Sequence, residues 1–192
     1  MKYLKKHSTI VTFLISLLII GVVFGIVLGF KQDTLFKKDI IYSLNNLKEI
    51  LLANKINNIF VHLITFLILI ITSFLVPLFF VNFVLLFFKG VTIGFSLYIF
   101  AIIGGGRGLI FGLIYVLLTS SLFCFIYIFL IIRGINLNKN IISLTLTREK
   151  KYISSIKNTL TGIFIIIGIC SLYDILLFAF SNFIISKFIW LF

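Results

Sequence analysis

Long apolar stretches alternate with shorter polar segments along this chain of 192 residues. The first apolar stretch, from Ile10 to Phe30, follows a basic start that holds Lys2, Lys5 and Lys6. A helix needs about 20 consecutive apolar residues to cross a bilayer, whereas the apolar region of a cleaved signal peptide has only about 7–15. Because this stretch is longer and has no small-residue cleavage site, it predicts a retained first span.

The next apolar stretch, residues 59–103, contains a single charged residue, Lys89, and is long enough for two spans. Pro77 favours a break between them, since proline bends or ends a helix. A break at Lys89-Gly90 is the alternative, and it would leave 91–103 too short to cross alone. The glycine-rich turn at 104–108 and a polar stretch at 133–157, which is predicted as a loop, separate the remaining spans. The predicted spans cover residues 9–30, 59–80, 83–103, 109–132 and 158–180.

Apolar residues recur at helical spacing within the polar segment that follows the first span. Ile40, Leu44, Leu47 and Leu51 fall on one side of such a helix, opposite asparagine, serine and charged residues. This pattern predicts an amphipathic helix over residues 40–53, which lies on the membrane surface or against a partner.

Composition supports a membrane protein. Hydrophobic residues make up 61% of the chain and charged residues 11%, whereas soluble domains have about 45–50% and about 25%. A soluble fold of this size cannot bury so much apolar surface. The sequence therefore predicts an all-α, polytopic transmembrane helical bundle of about five spans, forming a single integral membrane domain over 1–192. Six spans, with a broken or re-entrant segment near 89–108, are the alternative.

The net charge of +12 does not indicate a nucleic-acid partner, because lysines and arginines stand mainly at the ends of the apolar runs. There they contact lipid phosphates and set orientation. With the N-terminus in the cytoplasm, nine Lys and Arg residues fall on the inner side and seven on the outer side. The sequence thus predicts a multi-pass protein of the cell membrane with a cytoplasmic N-terminus and an outer C-terminus.

Few residues are suited to catalysis or metal binding, and none forms a recognisable constellation. Of the two histidines, His7 lies in the terminal segment and His62 is predicted at the membrane interface, near the start of the second span. A metal site needs at least three convergent donors, and Cys124 and Cys170 are interpreted as small buried apolar residues. We therefore predict no catalytic residue, no metal, no cofactor and no enzymatic activity.

Asp174 is the exception among the acidic residues, because it lies inside the last predicted span, next to Tyr173. An ionisable residue within a span indicates a functional site by default. A buried structural hydrogen bond to Tyr173, Ser171 or a neighbouring helix is the alternative reading.

Glycines repeat at intervals of four residues in three places. This spacing lines one helix face with residues that have no side chain, so that two backbones approach closely in lipid. It predicts compact helix packing, within the chain or with partners. The three sets are Gly21, Gly25 and Gly29; Gly90 and Gly94; and Gly104, Gly108 and Gly112.

Two of these glycine segments carry a resemblance to a known family. The segment 20–25, Ile-Gly-Val-Val-Phe-Gly, followed by Lys31-Gln32-Asp33, and the segment 86–95, Leu-Phe-Phe-Lys-Gly-Val-Thr-Ile-Gly-Phe, resemble the stage II sporulation protein M family. The glycine turn, the next long span and the Tyr173-Asp174 pair follow in the expected order. At 118–121 the chain reads Leu-Thr-Ser-Ser where that family tends to have a proline, so the proline kink is lost or is replaced by hydroxyl bonding to the backbone.

The resemblance implies a scaffold without wall chemistry of its own. Such a protein recruits membrane-anchored peptidoglycan hydrolases, the stage II sporulation proteins D and P, to the septum for forespore engulfment. A small permease or transporter subunit, with Asp174 in an intramembrane site, is the alternative function. Residues expected to act in packing or partner binding are Gly21, Gly25, Gly29, Lys89, Gly90, Gly94, Gly108 and Gly112.

Overall fold

The computed structural model describes residues 8–32, 47–75, 78–116, 120–148 and 150–188, without the side chains of 47–60, 103, 150–151, 174 and 177–188. Within these ranges the protein is helical and has no β-strand, which confirms the all-α prediction. The five helices are α1 (Ser8–Phe30), α2 (Leu47–Phe74), α3 (Val81–Val116), α4 (Leu122–Thr147) and α5 (Lys150–Phe188).

Four helical segments of the described chain are long and apolar enough to cross a membrane. Two shorter apolar segments lie beside them, and large apolar side chains cover the outer surface of the bundle. Such an exterior suits lipid, and the protein is a multi-pass membrane protein. The long segments are Ser8–Phe30, Val81–Ile102, Leu122–Thr147 and Tyr152–Tyr173, and the shorter ones are Val61–Phe74 and Gly104–Val116.

The core of the bundle surrounds α4. Half of the residues in its membrane-crossing window are buried, against 17–22% in the other three long segments. Tyr127 and Leu130 of α4 are fully buried, and they pack in one cluster with Phe66 of α2, Leu86 of α3 and Ile163 of α5.

A sharp turn at Gly105 divides α3 into two parts. Gly105 has φ 56° and ψ −133°, a conformation that is almost confined to glycine. The Phe100 and Phe111 rings lie 5.4 Å apart, so the two parts run side by side. The turn falls within the glycine run 104–108, and the helix is continuous through Lys89-Gly90, where the alternative break was predicted.

Replacing Gly105 by alanine is expected to lower the free energy of unfolding by about 1–3 kcal/mol, because a Cβ atom is strained at this φ and ψ. No atom would lie within 4 Å of that Cβ, so crowding plays no part. The matched control is Gly106→Ala, which is equally uncrowded and has an ordinary helical φ, and which stabilises a helix by up to about 1 kcal/mol. Thermal unfolding in detergent compares the two, and equal midpoints would contradict the strained turn.

The predicted span 109–132 extends across two helices. Helix α3 ends at Val116 and α4 begins at Leu122, while Ser120 and Ser121 adopt the wider π winding. Residues 117–119, which include the first two residues of the Leu-Thr-Ser-Ser step at 118–121, lie outside the described residues. A π turn interrupts regular α-helical bonding and is frequent at functional sites.

The polar stretch 133–157, predicted as a loop, is instead a helical hairpin made by the end of α4 and the start of α5. Its helices hold together because Leu137 is buried and the amide of Asn140 donates a hydrogen bond of 2.8 Å to the Ser155 hydroxyl. Arg148, with φ 54°, turns the chain between them. By length, about 39 Å for α4 and about 58 Å for α5, both helices exceed the roughly 30 Å hydrocarbon core.

The predicted amphipathic helix over 40–53 lies partly outside the described residues, which resume at Leu47. From that residue one continuous helix, α2, runs to Phe74. The second predicted span, 59–80, therefore starts well inside α2 and extends beyond its end. Pro77, which was predicted to divide the second and third spans, also lies outside the described residues, between α2 and α3.

Candidate functional site

Glycines of α1 and α3 meet at a single interface. Gly21 and Gly25 of α1 and Gly90 and Gly94 of α3 are all buried. A Cβ atom added to Gly90 would lie 2.5 Å from the carbonyl oxygen of Leu18, and one added to Gly21 would lie 3.1 Å from the Gly90 Cα atom. Since these neighbours are backbone atoms, no side-chain rotation could make room, and α1 and α3 pack backbone to backbone.

The remaining glycines of the three sets lie in two other surroundings. Gly29 of α1 is covered by the Tyr98 ring of α3. Gly112 faces Phe100 across the turn inside α3, where an added Cβ atom would lie 2.8 Å from the Phe100 Cβ atom. Gly108 is buried in the second part of α3. Within the third set, Gly112 therefore lets the two parts of α3 pack closely on each other.

Lys89 stands beside the glycine interface and reaches towards α2 and α4. Its Nζ atom lies 3.3 Å from Nε2 of His62 and 4.7 Å from the centroid of the Phe123 ring. The His62 ring in turn stacks on Phe123, with centroids 4.0 Å apart and planes at 23°. A cation over an aromatic face is attracted by the ring quadrupole, so the Phe123 ring stabilises the charged ammonium group of Lys89.

A cleft of about 410 Å³ opens around Lys89, between α2, α3 and α4. Clefts of about 300–1,000 Å³ are typical of small-molecule sites, which combine apolar walls with a few convergent polar groups. Here Phe88, Ile93 and Phe123 contribute apolar wall. The main polar groups in the lining are His62, Thr65, Lys89, Thr92, Ser96 and Tyr115.

The depth of the cleft makes its polar lining unusual. Lys89 lies eight residues, or about 12 Å, along α3 from Val81, inside a membrane-crossing segment. An ionisable residue at such a position indicates a functional site by default. Ser120, in the π turn between α3 and α4, also lines the cleft, so the interrupted backbone faces the same space.

A buried hydrogen-bond network lies next to the cleft and joins three helices. The amide Nδ2 of Asn82, which is completely buried, donates to Oγ1 of Thr72 at 2.8 Å and to the carbonyl oxygen of Phe79 at 3.2 Å. The Tyr127 hydroxyl donates to Oδ1 of Asn82 at 3.4 Å. Since Tyr127 also lines the cleft, this network fixes one of its walls.

Asp174 and Tyr173, the polar pair predicted within the last span, are part of α5. Tyr173 is half-buried, and the side chain of Asp174 lies outside the described residues. The described lining of the cleft comes from α2, α3, α4 and the turn before α4, and Tyr173 is not among those residues. Cys124 and Cys170 are both buried and free.

His62, predicted at the membrane interface, packs inside the bundle. Only 8% of His62 is exposed, and it packs on Phe123 within the bundle. The predicted second span started at residue 59, and the described apolar part of α2 covers Val61–Phe74. The signal available in the sequence was Lys89, a lone cation in a long apolar stretch, which needs polar or aromatic neighbours at the same depth.

The two segments that carry the family resemblance, 20–25 and 86–95, meet at the α1–α3 interface through their glycines. Lys89, which belongs to the second segment, reaches towards α2 and α4 instead. Within the described residues no group of three or more His, Cys, Asp or Glu side chains converges as metal ligands would. No family model, no curated protein and no solved structure matches the chain. The resemblance to the stage II sporulation protein M family therefore stays a prediction.

Proposed function

We propose that this protein is a non-enzymatic membrane scaffold that recruits peptidoglycan-remodelling proteins to the septum during forespore engulfment. The observation that carries the proposal is the meeting of the two segments on which the resemblance rests. They are more than 60 residues apart in the chain, yet they pack backbone to backbone through Gly21, Gly25, Gly90 and Gly94. Because the two segments contact each other, they form one structural feature and not two unrelated similarities. This supports the resemblance to the family.

A scaffold of this kind needs a rigid frame and free membrane-facing surface. The glycine interface supplies the frame, because two backbones in contact cannot slide without separating. Outside that interface, α1 presents a row of exposed apolar side chains, and so does α5. The single membrane anchors of hydrolases, such as the stage II sporulation proteins D and P, would pack on such surfaces. With a cytoplasmic N-terminus, the 31–58 segment would add contacts on the outer side.

The test is recovery of partners from membranes of sporulating cells. A tagged copy would be purified in mild detergent, and co-purifying proteins would be identified by mass spectrometry against an untagged strain. We expect peptidoglycan hydrolases with single membrane anchors to be enriched. Their absence, at a normal membrane level of the tagged protein, would count against the scaffold.

A second function, a small permease or transporter subunit, is favoured by the cleft. Transporters bind substrates near the middle of the membrane, next to interrupted helices, and the π turn at Ser120 faces the cleft around Lys89. Under this proposal the same purification would recover an ATPase or other transport subunits instead of hydrolases. Transport would then depend on the cleft or on Asp174, the acidic residue of α5.

A further inference from the structure

The hairpin formed by the end of α4 and the start of α5 extends beyond the rest of the bundle. Gly134 of α4 lies against the side chains of Ser73 and Phe79, at the level where α2 ends and α3 begins. Arg133, the first charged residue of α4, marks the membrane surface at the same level. From Gly134, α4 continues for 13 residues to Thr147, which is about 20 Å of helix. The headgroup layer adds only about 5–8 Å to each side of the hydrocarbon core, so the outer part of the hairpin lies in water.

This outer part has three large apolar side chains on its surface, which we call the hairpin tip. Leu146 is 79% exposed, Ile153 55% and Ile142 41%. Ile142 and Leu146 are four residues apart and share one face of α4. The hydrogen bond from Asn140 to Ser155 places Ile153 at the same level as Ile142. Apolar side chains need no cover in lipid, but past the headgroups an apolar surface with polar surroundings marks an interaction site.

Basic residues surround the hairpin tip. Lys139, Arg148 and Lys157 are exposed. In the sequence, residues 133–157 contain six lysines and arginines and a single acidic residue, Glu149, so the net charge of the hairpin is +5. The apolar tip therefore stands in a strongly positive surface.

The other acidic residues of the chain belong to distant parts of the bundle. Because α1 runs parallel to α3 and α2 antiparallel to it, the end of α1 and the start of α2 lie at the opposite end from the hairpin. Glu49 belongs to the first turn of α2, and Asp33 and Asp39 stand in the chain between α1 and α2. Even a fully extended chain takes Asp39 no more than about 32 Å from Phe30, and α1 alone is about 35 Å long. Asp174 comes 24 residues after the start of α5, about 36 Å along the helix.

We propose that the hairpin tip docks an acidic amphipathic segment of a partner protein, on the side of the membrane where α1 begins. The apolar side chains of such a segment would cover Leu146 and Ile153, as an amphipathic helix does on an apolar surface. Its carboxylates would face the surrounding cations, among them Lys157, which lies one turn from Ile153 on α5. This surface goes beyond the scaffold function, whose partners would pack on α1 and α5 within the membrane, and it does not depend on that function.

Two other occupants fit the hairpin tip less well. Anionic lipid headgroups have the complementary charge, but Leu146 is 12 residues, or about 18 Å, past Gly134 and so lies beyond the headgroup layer. A second copy of this chain would bring two hairpins of net charge +5 together, which like-charge repulsion opposes.

Binding would be measured on the full-length protein in nanodiscs of phosphatidylcholine, with empty nanodiscs as the background. The probe is a fluorescein-labelled helical peptide with leucine on one face and glutamate on the other, and the readout is fluorescence anisotropy. Two comparison peptides replace either the leucines by serine or the glutamates by lysine. We expect saturable binding of the leucine–glutamate peptide, weaker binding of the serine peptide and no binding of the lysine peptide.

Three variants assign the binding to the hairpin tip. Leu146→Ser removes the most exposed apolar side chain, and we expect it to weaken apparent affinity by about tenfold, as the loss of one buried leucine does. Lys157→Glu keeps the apolar tip but places a carboxylate beside it, and it tests the surface independently if Leu146→Ser does not fold. Arg107→Glu is the matched control, because Arg107 is exposed beside the turn at Gly105, at the opposite end of the bundle.

Binding of the leucine–glutamate peptide that both tip variants weaken and Arg107→Glu leaves unchanged supports the proposal. No saturable binding, equal binding of the serine peptide, or equal losses in the tip variants and in Arg107→Glu would overturn it. Phosphatidylglycerol vesicles, tested as a separate probe, would reassign the surface to lipid if they alone bound and Leu146→Ser abolished that binding. The probes are synthetic, so failure of this surface and failure of partner recovery from sporulating cells are distinguishable.

Discussion

Replacing Gly25 by leucine is expected to force α1 away from α3 and to lower the free energy of unfolding by about 3 kcal/mol or more. A side chain at this position would meet the carbonyl oxygen of Val91 and the backbone nitrogen of Phe95. Overpacked cores usually relax by rotating side chains, but a backbone carbonyl inside a helix has no such freedom. The only relief is separation of the two helices, which would open the whole glycine interface.

A graded series separates crowding from a general effect of larger side chains. Gly25→Ala should already be damaging, because the first added atom, Cβ, makes the clash. Gly168→Leu in α5 is the matched control, since nothing lies within 4 Å of a Cβ atom there. It adds the same atoms to an exposed helix position and should leave stability unchanged or raise it by up to about 1 kcal/mol.

Thermal unfolding of the purified variants in detergent, with the amount of monodisperse protein as a second readout, measures the effect. In cells, the amount of protein in the membrane should fall for the two Gly25 variants and stay unchanged for Gly168→Leu. If Gly25→Leu and Gly168→Leu unfolded at the same temperature, the backbone contact between α1 and α3 would not exist in the native protein.

The glycine spacing indicated which faces of the helices are closely packed, but the sequence left open what packs on them. Gly21 and Gly25 predicted a contact face on α1, within the chain or with a partner. The structure places Gly90 and Gly94 opposite them. Pairing depends on how α1 and α3 are arranged around α4, and a four-residue repeat contains no information on that arrangement. Two equal repeats are compatible with several pairings.

The cleft was beyond sequence reasoning for a related reason. Lys89, His62 and Phe123 come from three helices and are 27 or more residues apart. Whether they share a depth depends on where each helix begins. The start predicted for the second span differed from the start of α2 by 12 residues, and nothing in the sequence indicated that His62 packs on Phe123. A lone polar residue in an apolar stretch indicates a polar site inside the bundle. How far each helix is shifted along its neighbours decides which residues meet there.

The hairpin at 133–157 shows the limit of charge as a signal for loops. Six lysines and arginines in this stretch predicted a loop, yet charges spread along a helix are stable when they face water. Leu137, Asn138 and the half-buried Ile141 recur at helical spacing and form the packed side. The periodicity was present in the sequence, but net polarity outweighed it in the prediction.

Substituting leucine for Asn82 is expected to lower the free energy of unfolding by about 2–4 kcal/mol, the second-largest effect. Leucine branches at the same atom as asparagine and is larger, so the loss does not come from a cavity. It comes from the partners: the buried Tyr127 hydroxyl loses its acceptor, and Oγ1 of Thr72 loses a donor. In a bundle with an apolar exterior, these groups cannot form replacement hydrogen bonds with water.

A double-mutant cycle with Thr72→Val tests whether the network acts as a unit. Once Thr72 no longer offers an oxygen, part of the harm done by Asn82→Leu has already occurred, so the double variant should lose less than the sum, by about 0.5–1.5 kcal/mol. Thr12→Val serves as the control, because its hydroxyl is exposed and bonds only to Ser8 of its own helix.

Strict additivity of Thr72→Val and Asn82→Leu would mean that the two side chains do not share a bond in the folded state. Coupling, in contrast, would tie the end of α2 to the start of α3, and through Tyr127 to α4. That link also bears on the cleft, because Tyr127 lines it. If the network holds this wall, Asn82→Leu should loosen the wall as well as lower stability, although Asn82 is not among the described residues that line the cleft.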